Sequence, residues 1–310
     1  MIAPLRPADP LQVWTVSDLL AWTEAHFRRL SSPTPRLDAE VLLAHALGST
    51  RIDLYTGYHK VVEPDERERF RSFVERRGRG EPVAYITGTR EFHSLRFEVT
   101  PAVLIPRPET EHLVDGAVER LSGMGAAKVL DLGTGSGNIA VSVTVRIPTA
   151  RVTAADLSPG ALEVARRNAA RHGVEERIEF LLGDLFAPLR TREPPLPFDA
   201  ILSNPPYIPP ELYAGLSRDV RDFEPESALL DCRGGPGGGG LGFHRAIARE
   251  ASEFLLPGGL LGLEVGAGQA PAVVELLRAA GFERVETTSD YGGIVRVVWA
   301  NRPNRPNGAP

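Results

Sequence analysis

Cysteine is almost missing from this chain. Cys232 stands alone among 310 residues, so no internal disulfide framework and no multi-cysteine zinc or iron–sulfur site can form, and a reducing compartment is expected. Long apolar runs are missing as well. No stretch of 18 apolar residues occurs, which excludes a transmembrane helix. The first ten residues carry prolines and charges in place of the apolar core of a signal peptide, so the expected location is cytoplasmic. There is no excess of positive charge either: 35 Lys and Arg face 40 Asp and Glu, for a formal net charge of -5. A protein held to nucleic acid chiefly through phosphates is usually basic, so neither nucleic acid nor a membrane is the expected partner. Lysine is nearly absent, with Lys60 and Lys128 the only two, and nothing mechanistic follows from that.

What is present is enough for about two domains. Apolar residues make up 42% of the chain, sufficient to bury a core without staples. Residues 1–80 read as a helical domain. Thr15 and Asp18 have capping-box spacing ahead of Leu19, Leu20, Trp22 and Phe27. A Leu/Ala-rich helix over 36–47 should stop at Gly48, and Pro64 opens a helix that should run to Arg77 and stop at Gly78. Residues 81–108 read as a β-hairpin and linker, with strand composition over 92–100 followed by Pro101, Pro106 and Pro108. From 109 to 300 helices and strands alternate, with strands expected at 129–132, 152–155, 178–182, 200–203 and 260–265. That alternation requires an α/β doubly wound, mostly parallel sheet with helices on both faces. The segments 284–286 and 293–299 should form an antiparallel pair at one edge, giving an antiparallel edge strand. Residues 301–310 read as a disordered tail.

Two motifs carry chemistry. A strand at 129–132 runs into Gly133-Thr134-Gly135-Ser136-Gly137 and then a helix. Glycines there let a ligand approach the backbone and permit positive φ. Asp156 ends the next strand, 19 residues after Gly137, where a carboxylate suits a ribose diol. A dinucleotide fingerprint needs its third glycine one place later, where Asn138 stands, so the spacing departs from that fingerprint, and a dehydrogenase stands as the rival reading. The second motif is Asn204-Pro205-Pro206-Tyr207, directly after a strand. An amide or nucleobase amino nitrogen is a poor nucleophile because its lone pair is delocalised. The Asn204 oxygen and the Pro205 carbonyl can each accept one N–H, holding the group and stabilising positive charge as it develops. Tyr207 offers a face for a planar group. His93, His112 and His244 lack metal-ligand spacing, so no metal is expected, and Glu264 reads as part of the crevice wall.

The Gly-x-Gly-x-Gly loop resembles the first motif of S-adenosylmethionine-dependent methyltransferases. With Pro82-Val83-Ala84-Tyr85, Ile105-Pro106-Arg107-Pro108-Glu109-Thr110-Glu111, Asn204-Pro205-Pro206-Tyr207, Phe223-Glu224-Pro225 and Leu263-Glu264-Val265-Gly266, nearly the whole chain resembles the peptide chain release factor N5-glutamine methyltransferases. The resemblance implies a Rossmann-like methyltransferase domain, S-adenosylmethionine as cofactor, and methyl transfer to the Gly-Gly-Gln glutamine of class-1 release factors by a monomer. It assigns Gly133, Thr134, Gly135, Ser136, Gly137, Asp156, Asp184, Leu185 and Asn204 to the cofactor, and Asn204, Pro205, Pro206 and Tyr207 to the glutamine. Relatives often carry Trp where this chain has Leu185, which leaves Leu185 or Phe186 to meet the adenine. Still open at this stage are glutamine methylation of a ribosomal protein, adenine-N6 methylation of nucleic acid, and a nucleotide-binding module without catalysis.

Overall fold

The structure, a computed structural model, describes residues 13–191, 197–235 and 237–304. The chain forms two compact units, Met1–Gly88 with Arg218–Phe223, and Thr89–Ser217 with Glu224–Pro310.

The first unit is helical: α1 (Val16–Arg29), α2 (Pro35–Leu47), α3 (Arg51–Thr56), α4 (Pro64–Gly78) and the short α5 (Val83–Thr87). The Thr15–Asp18 capping box forms, and Gly48 ends α2 in the left-handed conformation. Gly78 is the last residue of α4, and the chain turns at Gly80, whose φ is +102°. Leu19, Leu20 and Phe27 of α1 share a core with Leu42, Leu43, Leu54, Phe70 and Val74. Glu40 is buried among Arg36, Arg51 and Tyr55, which satisfy its charge.

The second unit begins with a hairpin, β1 (Thr89–Phe92) and β2 (Leu95–Glu98). The hairpin falls inside the segment 81–108 expected to hold a hairpin and linker. Phe92 and Phe97 sit in the same core as Leu113 and Val129, so the hairpin is built into the second unit. Then follow α6 (Glu111–Leu121), β3 (Lys128–Leu132), α7 (Asn138–Arg146), β4 (Arg151–Asp156), α8 (Pro159–Arg171), β5 (Ile178–Leu182), α9 (Ala187–Arg190), β6 (Phe198–Ser203), α10 (Arg218–Arg221, in the first unit), α11 (Gly242–Phe254), β7 (Leu255–Glu264), α12 (Ala270–Ala279), β8 (Glu283–Ser289) and β9 (Val295–Asn301). The seven-stranded order is β5-β4-β3-β6-β7-β9-β8. β3 to β7 are parallel, and β9 runs against both neighbours. The reversed strand therefore lies one place in from the edge, which β8 occupies. Asn301 pairs within β9 rather than opening a tail; residues 305–310 lie outside the described residues.

Side chains alternate between two cores. Val129, Ala200, Leu202 and Trp299 face α6, α7 and α8, whereas Leu130, Ile201, Val298 and Ala300 face α11 and α12. Trp299 slots between α6 and β7, and a Cβ at either Gly116 or Gly262 would overlap its ring. The chain direction across the sheet reverses between β3 and β6, the place where doubly wound sheets open a ligand crevice at the strands' carboxyl ends. Among the described residues no helix is long and apolar enough to cross a membrane.

Candidate active site

The loop after β3 bends through Gly133, Gly135 and Gly137, with φ of +70°, +55° and +80°. The space where side chains would stand on Gly133 and Gly135 is open, while a Cβ on Gly137 would come within 3.1 Å of the Ala165 side chain of α8. Thus two glycines leave room for a ligand, and the third lets helix and loop meet. Asp131 lies buried beneath the loop. Its Oδ2 accepts from Thr134 Oγ1 at 2.6 Å and from the Ala140 N–H at 3.2 Å, and Oδ1 has no partner. Burial pushes this carboxyl up to about 7. Asp156, at the end of β4, accepts from the Gly135 N–H and the Ser158 N–H, both at 2.8 Å. Burial raises its pKa as well. Asp156 therefore fixes the glycine loop and also faces the cavity beside it.

That cavity measures about 420 Å³, within the range of roughly 300–1,000 Å³ typical of small-molecule sites. Gly133, Thr134, Gly135, Ser136, Asp156, Asp184, Leu185, Asn204, Pro205 and Pro206 all line it; Gly137 and Tyr207 do not. Leu185 reaches the wall from a strained backbone, φ +47°. Phe186 is buried against Phe254, ring centroids 4.7 Å apart, so of the two residues considered for the adenine only Leu185 meets the cavity. Asp184 forms an ion pair with Arg233, whose guanidinium lies 4.9 Å from the centre of the Phe243 ring. Tyr207 feels the charges of Glu264, Arg296 and Arg107, and burial pushes its hydroxyl up to about 12.

Asn204 follows β6 directly. Its Nδ2 donates to Thr110 Oγ1 at 3.1 Å, and among the described residues no donor reaches its Oδ1. Several supporting residues had no role assigned from sequence. Glu224 accepts from the Ile105 N–H at 3.0 Å and from Arg107 Nη2 at 2.5 Å, so the Phe-Glu-Pro and Ile-Pro-Arg-Pro segments hold one another, and Arg107 is set against the cavity. Asp231 is buried and accepts from the backbone N–H groups of Arg233, Gly234 and Gly242, anchoring both ends of the glycine-rich stretch. Gln269 donates to the carbonyls of Tyr207 and Gly239 at 3.0 and 2.8 Å and accepts from the Gly266 N–H, tying that stretch to the Asn-Pro-Pro-Tyr backbone. The glycine excess signalled this loop; its anchors carried no signal.

The comparisons with known proteins agree with this arrangement. Residues 18–88 match the PrmC N-terminal domain and residues 113–211 the methyltransferase small domain. The release factor glutamine methyltransferase of Geobacter sulfurreducens is 43% identical over 287 residues, 93% of this chain and 96% of the relative. That of Moorella thermoacetica is 46% identical over 269 residues, 86% and 92% of the two chains. Among solved structures, the hMettl16 catalytic domain with its MAT2A hairpin overlays with a TM-score of 0.50 at 16% identity, covering 81% of this chain and 87% of that one; this likeness speaks for the fold alone. On sequence identity and coverage, the chain belongs to the release factor glutamine methyltransferase family.

Proposed function

We propose that this protein methylates the side-chain amide nitrogen, N5, of the glutamine in the Gly-Gly-Gln motif of class-1 peptide chain release factors. The observation that carries the reading is Asn204, at a strand end beside the cavity, with its NH2 held by Thr110 and its oxygen unclaimed. S-adenosylmethionine supplies an electrophilic methyl on a sulfonium. The site fits that cofactor: the open space at Gly133 and Gly135 admits it along the backbone, the Asp156 carboxylate can take ribose hydroxyls, and Leu185 can cover the adenine. Asp184 has lone pairs to spare for the adenine amino group even while it holds Arg233.

Asn204 Oδ1 and the Pro205 carbonyl then each accept one N–H of the glutamine amide. Proline suits that position because its φ is fixed and it brings no N–H of its own. Two acceptors turn the amide so that its nitrogen lone pair faces the methyl carbon, and they stabilise the charge that grows on nitrogen. No base is needed before transfer, because the proton can leave afterwards. Holding donor and acceptor in line supplies much of the rate. The reading places the enzyme in the cytoplasm, as a monomer, with its first unit available to dock the release factor.

The test is mass spectrometry of a release factor incubated with enzyme and cofactor, beside a Gln→Ala variant of its Gly-Gly-Gln motif and adenine-containing RNA. Methylation confined to the intact glutamine is expected; methylation that survives the Gln→Ala change, or faster transfer to RNA, would overturn the reading. Asn204→Ala should lower turnover roughly 100- to 1,000-fold while cofactor affinity in calorimetry largely persists. Near-normal turnover in that variant would remove Asn204 from the reaction.

A further inference from the structure

Behind Asn204 stands a buried polar pair that the chemistry above does not use. In the β6–β7 ladder Ser203 pairs with Leu263, so the next residues, Asn204 just past β6 and Glu264 at the last position of β7, stand side by side. Thr110, from the turn before α6, lies between them. Both Thr110 and Glu264 are about 1% exposed. The Thr110 hydroxyl bears on the Glu264 carboxyl, whose charged form it favours, and its Oγ1 accepts from Asn204 Nδ2. Glu264 Oε2 has no partner at all. A buried carboxylate with a bare oxygen costs stability, so its presence here calls for an explanation.

We propose that Thr110 and Glu264 are positioning residues that lock the Asn204 amide, with its NH2 turned from the cavity and its oxygen turned toward the glutamine. The argument is one of hydrogen counting. A threonine hydroxyl has one proton and two lone pairs, and an ionised carboxylate only accepts. Oγ1 accepts from Asn204 Nδ2, so its one proton is directed away from that amide, and the neighbouring Glu264 carboxylate is the acceptor we assign to it. That leaves the Asn204 NH2 one place to point. Without Glu264 the hydroxyl could donate to Asn204 Oδ1 instead. The amide would then be free to flip and present its own NH2 to the NH2 of the substrate, which no longer finds an acceptor. Burial pushes the Glu264 carboxyl up to about 7, with Glu109 adding to the rise while Arg107 and Arg296 oppose it. Tyr207 and His244 also face it, the latter through its Nε2 on the Glu264 carbonyl oxygen.

The inference rests on Asn204 being the acceptor for the glutamine amide, and a double-mutant cycle in mildly alkaline buffer tests it. Thr110→Val should lower kcat on a release factor roughly 10- to 100-fold, the scale of a misplaced reacting group, with S-adenosylmethionine affinity by calorimetry within about twofold. Glu264→Met, which keeps the volume and removes the acceptor, should act in the same direction. Thr110→Ser should restore most of the rate, because it returns the hydroxyl. In an Asn204→Ala background Thr110→Val should cost nothing further, since there is no amide left to orient. Melting curves check folding, and Thr110→Ala replaces Thr110→Val should the latter not fold. An equal loss in both backgrounds, failure of Thr110→Ser to rescue, or a loss that appears only in cofactor affinity would overturn the proposal. If the intact Gly-Gly-Gln glutamine is methylated normally by Thr110→Val, only this inference fails; if that glutamine is never methylated by the native enzyme, the functional reading fails instead.

Discussion

A carboxylate that both shapes a loop and meets a ligand cannot be removed for one purpose alone, and Asp156 is such a group. Its two oxygens hold the Gly135 and Ser158 N–H groups, yet it lines the cavity. Asp156→Ala should weaken S-adenosylmethionine binding by about 1.5–3 kcal/mol, the range for charge-assisted hydrogen bonds, or roughly 10- to 150-fold in Kd. Unchanged affinity in calorimetry would take Asp156 off the ribose. Asp156 was legible because its spacing from a glycine loop is local along the chain. Thr110, Glu224 and Gln269 were not. Their bonds reach Asn204, Ile105 and Tyr207 across 94, 119 and 62 residues, and no periodicity marks a side chain that works through so distant a neighbour.

Among the elements, the parallel strands were readable because each is an apolar run bounded by breakers. β7 is the instructive exception. Its first half contains Pro257, Gly258 and Gly259, chain-breaking residues ahead of the strand expected at 260–265, yet Leu255 pairs with Phe198 before the register shifts. The glycine-rich stretch before α11 shows the opposite limit, since its composition says loop without saying what the loop touches. A Cβ on Gly240 would overlap the Tyr207 carbonyl oxygen, and φ there is +73°, whereas a Cβ on Gly237 meets nothing within 4 Å at a φ of +76°. Gly240→Ala must therefore displace the Asn-Pro-Pro-Tyr backbone, and turnover should fall by about 100-fold, as for a catalytic group moved by an ångström. Gly237→Ala carries only backbone strain, worth about 1–2 kcal/mol, and should keep most of its turnover. Parallel kinetics and melting of the two variants check the contrast; equal turnover would mean that the loop does not support the site.

Across the whole molecule, two buried carboxyls give stability a pH dependence of definite sign. Asp131 and Glu264 are both raised by burial to about 7. Below the ordinary carboxylate range, folded and unfolded chains alike carry these protons, and no penalty arises. As pH climbs toward 7 the unfolded chain releases them while the folded chain still holds them, so stability is lost across that window and the loss is complete above it. Asp131→Asn and Glu264→Gln should therefore gain in Tm relative to the native chain as pH rises from about 4 to about 7. A Tm difference that stays flat with pH would show that these groups titrate normally in the folded protein.

The division into two units sets the last prediction. The unit of Met1–Gly88 with Arg218–Phe223 contains none of the cavity-lining residues, yet it has a core of its own. A helical unit that lines no part of the cavity is open to the role we propose for it, recognising the folded body of a protein substrate while the cavity takes only the glutamine and its neighbours. A flexible Gly-Gly-Gln tip could enter such a cavity, whereas a base in a duplex would have to be flipped out first. A chain beginning at Thr89 should thus keep most of its S-adenosylmethionine affinity and still methylate a short Gly-Gly-Gln peptide, but it should lose most of its kcat/KM on an intact release factor. Turnover by the full chain should fall only modestly with added salt, because a protein of net charge -5 has little use for the release of phosphate counterions. Calorimetry for the cofactor, and steady-state kinetics on peptide and release factor across a salt series, separate these quantities. Equal kcat/KM on the release factor with and without the first unit would assign recognition to the methyltransferase unit alone, and a steep salt dependence would point to a polyanionic partner in place of a protein.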